Sequence, residues 1–206
     1  MCITIQLIKD VITIIAACSA IFIGFSGLNS WKKQLKGTAE YDLSKRLITG
    51  LFTYRDAIKH VRNPSLYNHE RETPPEEQAK TMSKDEIDFY GYSKAYQNRW
   101  DKIDDAKKQF YADRLEGEAL WGKSFIDLFQ NIPKLESELF LAIQTNLLLR
   151  NPDTPKSKKN VWQKEFQKTR DVMYDIGNPE NPDKFMSDLN DAITNFEAYL
   201  KPYLKK

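Results

Sequence analysis

One string in this 206-residue chain has the residue types and spacing of a phosphate loop: Gly117-Glu118-Ala119-Leu120-Trp121-Gly122-Lys123-Ser124 fits G-x-x-x-x-G-K-[ST]. In that pattern backbone amides cradle a phosphate, the lysine reaches its outer oxygens and the hydroxyl holds magnesium. Lys123 and Ser124 would take those two roles. The chemistry also needs a buried parallel strand before the loop, and here the preceding Lys107 to Arg114 is charged and helical in pattern. Leu120 and Trp121 are bulky, and no run of four apolar residues ending in aspartate follows to complete the magnesium site. The string reads as a helical turn or short break, with Lys123 facing water and Trp121, Phe125, Leu128 and Ile132 continuing a core stripe. A nucleotide-binding protein acting through Gly117, Gly122, Lys123 and Ser124 is kept as an alternative.

The remaining chemistry-bearing residues are sparse. Asp101, Asp104 and Asp105 could hold a divalent ion but read as a solvated helix face. The two histidines, His60 and His69, are too few for an ordinary zinc site, and both cysteines, Cys2 and Cys18, precede residue 29. The rest of the chain therefore has no thiol for attack, cross-linking or zinc. Aromatics interleaved with Lys94 and Arg99 could stack on bases. Their spacing is that of a packed helix, and 31 basic against 29 acidic residues, net +2, leave no footprint for nucleic acid. No catalytic residue, cofactor or metal site is expected.

What positions the chain is the apolar run Val11 to Leu28, VITIIAACSAIFIGFSGL. As helix it measures roughly 27 Å, close to the hydrocarbon thickness of a bilayer, and no charge interrupts it. A buried core helix would show a polar stripe, and this run shows only Thr13 and two serines. A cleaved leader fits poorly, although Gly24-Phe25-Ser26 and Ile15-Ala16-Ala17-Cys18 offer processing sites: Asp10 cancels Lys9, and apolar sequence continues past Cys18. Lys32, Lys33, Lys36, Lys45 and Arg46 follow the run while Lys9 stands alone before it, so the charge rule predicts residues 1–10 outside and residues from 29 on in the cytoplasm. Trp31, Lys32, Lys33 and Lys36 then mark the membrane interface. Ala16, Ala20 and Gly24 recur every four residues, with Gly27 beside them, a strip through which two spans could pair as a homodimer.

Beyond the interface Gly37 offers a hinge, and Leu43, Leu47, Leu51, Tyr54, Ile58 and Val61 step along one helical stripe. That stripe predicts packing on later helices, or a parallel pairing seam continuing a membrane dimer. The helix stops before Asn63-Pro64. The stretch Gly27 to Tyr41, GLNSWKKQLKGTAEY, with Arg55-Asp56-Ala57-Ile58 and Val61-Arg62-Asn63-Pro64, resembles small bacterial membrane proteins carrying one N-terminal span. The resemblance covers about the first third of the chain and implies a bacterial inner membrane without implying an activity.

Residues 65–82, polar and containing Pro74-Pro75, read as an exposed linker. Ser83 and Glu86 form a capping box that opens a long helix bearing Phe89, Tyr92, Tyr96, Trp100, Ile103, Phe110 and Leu115. Leu128 to Leu147 is helical in pattern, with Pro133 kinking or dividing it. Thr154-Pro155 opens a helix carrying Trp162, Phe166, Met173 and Ile176 as far as Gly177. A last helix presents Phe185, Leu189, Ile193, Phe196 and Leu200 before a basic tail of Lys201, Lys205 and Lys206, which could touch anionic lipid.

The expected architecture is all-α: a transmembrane helix at 11–28, a juxtamembrane amphipathic helix at 29–64, a linker at 65–82 and a bundle at 83–206, about five helices in the cytoplasm. The function that fits is a membrane-anchored interaction protein, a scaffold, sensor or adaptor, whose partners are membrane lipid and an unidentified protein. A membrane-disrupting effector of a bacterial defence system is the rival with the same architecture.

Overall fold

The computed structural model describes residues 2–178 and 180–205, with side chains given at residue 13 and from residue 15 onward. It is all-helical, and no strand occurs among the described residues. The helices are α1 (Cys2–Val61), α2 (Glu76–Ala79), α3 (Lys84–Trp121), α4 (Lys123–Phe129), α5 (Asn131–Arg150), α6 (Lys156–Phe166) and α7 (Lys184–Leu200), with short 3-10 turns at Asn68–Glu70 and Lys201–Leu204.

The first helix governs the rest. It is 60 residues long and continuous through Gly37, so the expected hinge is absent. Its C-terminal part is the bundle's first core element: Leu43, Leu47, Leu51, Tyr54, Ile58 and Val61 are all fully buried. They pack within their own chain, which removes the reading of this stripe as a pairing seam. Partner numbers fall along α3 as they rise along α1, so the two helices are antiparallel. Arg46 Nε meets Asp113 Oδ1 at 2.9 Å, Tyr54 stacks on Phe110, and His60 Nε2 lies 3.1 Å from Lys102 Nζ.

The opposite end of α1 packs on nothing described. Every described residue from Ile15 to Ala39 is exposed, whichever way it faces. Among the described residues no helix is long and apolar enough to cross a membrane. Within the run expected to span, the side chains of Val11, Ile12 and Ile14 lie outside the described residues, as do those of residues 1–10. The fold itself thus carries the helical bundle and not the span.

Local chemistry sets the helix ends. The Glu86 amide donates to Ser83 Oγ at 3.3 Å while Glu86 Oε2 accepts from the Ser83 amide at 2.5 Å, closing the expected capping box of α3. Pro133 sits in the first turn of α5, where no intrahelical donor is needed, and it marks the division of α5 from α4. The stretch 65–82, expected to be an exposed linker, is exposed over most of its length and is tied to α3 at two points: Asn98 Nδ2 donates to Glu72 Oε1 at 2.8 Å and Arg99 holds Glu70.

The helix expected to reach Gly177 ends instead at Phe166. Residues beyond it are drawn out as a strap in which Val172 and Met173 are buried and Ile176 is exposed. The cause is Arg62, whose guanidinium takes the carbonyls of Val172 and Tyr174, both at 2.7 Å, while its own carbonyl accepts from the Asp175 amide. Those backbone groups are then not available to a helical ladder. Asp183 caps α7 through the Met186 amide at 2.7 Å, and the expected stripe Phe185, Leu189, Ile193, Phe196 and Leu200 is buried.

Candidate functional site

The phosphate-loop string lies at the end of α3 and the start of α4. Gly117 to Trp121 are helical, so the amides that would cradle a phosphate are in the helix ladder. Gly117 is glycine for packing: a Cβ there would stand 2.6 Å from the ring of Phe125, itself fully buried against Phe196. Gly122, at φ 72° and ψ −152°, makes the break between the helices. Lys123 faces solvent, and Ser124 Oγ turns toward the Trp121 carbonyl at 3.4 Å. Trp121, Phe125, Leu128 and Ile132 line the core as their spacing indicates. Among the described residues no strand precedes the string, so its residues lack the geometry of a phosphate cradle.

Asp104 and Asp105 pair with Lys107 and Lys108 at 2.9 and 2.7 Å on an exposed face. Among the described residues, no group of three His, Cys, Asp or Glu side chains is placed to hold a metal.

Two buried arginines hold the far end of α1, and neither was expected. Arg62, with no exposed surface, bonds both oxygens of Asp183 at 3.1 and 2.7 Å and lies over the ring of Phe185. Arg99, 1 % exposed, grips Glu70 at 2.9 and 2.7 Å and donates to the carbonyls of Asn63 and Ser65. Their guanidiniums are taken up by these contacts within the chain, and so they clamp the fold. The Arg99 hydrogen bonds pull the Glu70 carboxyl down from 4.5 to about 2. Burial, with Lys102 and Arg99 nearby, lowers His60. A signal was present: Arg62 follows Ile58 by four residues and Arg99 follows Tyr96 by three, each on its helix's apolar stripe.

What the bundle leaves unfilled is a stripe along the outer face of α5. Phe140 and Leu141 are 44 % and 55 % exposed, and Gln144, Leu147 and Leu148 continue the row. Trp100 flanks it on one side, its ring 4.9 Å from that of Phe140, across a cleft of about 400 Å³. Trp162 of α6 flanks it on the other, across a cleft of about 430 Å³. The helix bearing Trp162 has no buried residue of its own. This row, Gln144 apart, is apolar and lies between two tryptophans.

At the other end of the molecule, Ala16, Ala20, Gly24 and Gly27 are exposed, and a Cβ built on either glycine would meet nothing described within 4 Å beyond its chain neighbours and its own helix backbone. Trp31, Lys32, Lys33 and Lys36 are exposed as well, with Lys36 reaching Glu40 at 3.8 Å. The structure adds the C-terminal turn to this end: Tyr203 and Lys205 line one cleft of about 620 Å³ with Trp31, Gln34, Leu35 and Tyr41. Lys206 lies outside the described residues.

No family model matches the chain, and no curated protein or solved structure is significantly similar to it. The assignment of function rests on the residues themselves.

Proposed function

We propose that the protein is a membrane-anchored interaction protein without catalysis of its own. Residues 11–28 cross a bacterial inner membrane, residues 1–10 stand outside, and the helical bundle hangs in the cytoplasm and offers its α5 stripe to a partner protein. The observation that carries this reading is the division of α1: apolar side chains such as Ile21, Phe22, Ile23 and Phe25 are exposed around its N-terminal part, while its C-terminal part is buried core. So much apolar surface on an isolated helix is stable only against lipid or another protein. Within this part the Ser19 hydroxyl donates to the Ile15 carbonyl at 2.8 Å, leaving that polar group satisfied without water. The strip of Ala16, Ala20, Gly24 and Gly27 would then let a second span approach closely.

Alkaline carbonate extraction of membranes tests the anchor. The full chain is expected to stay in the pellet. The Ile21→Lys, Phe22→Lys variant moves to the supernatant, since each central charge costs about 3 kcal/mol of insertion. Quantitative extraction of the unmodified chain contradicts the reading.

A further inference from the structure

We infer that two segments far apart in sequence, the start of the juxtamembrane helix and the C-terminal turn, form one basic, aromatic collar that binds anionic lipid headgroups. The inference rests on the membrane reading above and specifies what the cytoplasmic end of the span touches. Tyr203 and Lys205 share a cleft with Trp31, Gln34, Leu35 and Tyr41, so the C-terminal turn faces the same side of α1 that carries Trp31. Measured along the helix from Leu28, Trp31 is about 4.5 Å and Leu35 about 10 Å farther on. That interval is the headgroup layer, some 5–7 Å deep, and the water just below it.

The charges suit that position. Lys32, Lys33 and Lys36 are the only ionisable residues between Asn29 and Ala39, and Lys201, Lys205 and Lys206 are the only charged side chains after Glu197. The one carboxylate lining the cleft, Glu40, is met by Lys36. Each lysine near an anionic surface contributes about 1 kcal/mol, so either segment alone is marginal and the two together are not. Trp31 supplies the ring-and-dipole side chain that favours this layer. The C-terminal turn is in turn tied to the core, with the Tyr203 ring tilted against those of Trp121 at 5.0 Å and Tyr199 at 6.1 Å. Lipid engaged by the collar would therefore hold the whole bundle upright against the bilayer.

The test uses the full chain in lipid nanodiscs, with Cys2→Ser and Cys18→Ser removing the native thiols and Leu204→Cys placing one beside Lys205. The readout is the alkylation rate with a neutral maleimide. With about one third phosphatidylglycerol the rate is expected to fall about fivefold or more relative to pure phosphatidylcholine. It should recover at about 0.5 M salt, where screening is short-ranged. Lys32→Gln, Lys33→Gln and Lys36→Gln together, all at exposed positions, should abolish the difference. Equal rates in the two lipids, or a difference indifferent to salt and to the three substitutions, overturn the collar. Failure of the chain to enter the discs overturns the membrane reading itself.

Discussion

Arg62 joins three segments through one guanidinium: the end of α1, the strap at Val172 and Tyr174, and the N-cap Asp183. Substituting Arg62→Met leaves two carbonyls without their donor and the Asp183 carboxylate without its cation, with only backbone amides such as that of Met186 still donating to it. The expected loss is about 3–5 kcal/mol of stability by urea denaturation, and Arg62→Lys recovers only part because it cannot form the fork. Glu70 gives a pH dependence of known sign. Its folded value lies below its unfolded one, so its contribution is complete above about pH 4.5 and is lost as pH falls toward about 2. His60, also lowered, acts in the same direction beginning below its ordinary 6.5. The urea midpoint should therefore drop between pH 7 and pH 3, and Glu70→Gln should flatten the acid part of that drop. Neither clamp was legible as such in the sequence. Hydrophobic periodicity marks where a side chain is buried and says nothing about the distant carbonyls that make burial of a cation tolerable.

The helices themselves were largely readable because their signals are local. The α1 stripe, the Ser83 capping box, the place of Pro133 and the face of α7 follow from spacing and from single residues. The C-terminal half of the helix expected at 156–177 failed for the opposite reason, since Arg62, more than a hundred residues away in sequence, claims the backbone there. The junction of α3 and α4 shows how a motif string can be built from packing needs. Gly117 admits the Phe125 ring and Gly122 adopts a conformation that costs other residues about 1–3 kcal/mol. Gly117→Ala and Gly122→Ala should each lower stability by about that amount, overpacking in the first case and backbone strain in the second. Lys123→Ala, on the surface, should change stability by less than about 0.5 kcal/mol. Paired with it in an ATP-binding titration, the unmodified chain should bind no better than the variant; binding lost on Lys123→Ala would restore the phosphate-loop reading.

At the scale of the molecule, a single uninterrupted helix joins an exposed apolar segment to a buried core, with no described break between them. Such a helix fixes the bundle's distance from whatever its N-terminal part is buried in. It also sets the α5 stripe apart from the collar, since the clefts beside Trp100 and Trp162 lie toward the Arg99 end of α3 and the collar lies at the other. On the proposed reading, that separation would let one end engage lipid while the other engages a partner. The most direct test is a depth profile along α1. Single cysteines replace Phe22, Leu28, Leu35 and Ala39 in turn, in the chain with Cys2→Ser and Cys18→Ser, and nitroxide labels on them are exposed to oxygen and to a water-soluble nickel complex in lipid vesicles. A membrane-spanning α1 gives oxygen-dominated collisions at 22, a crossover between 28 and 35, and nickel-dominated collisions at 39. Nickel-dominated collisions at all four positions would contradict it.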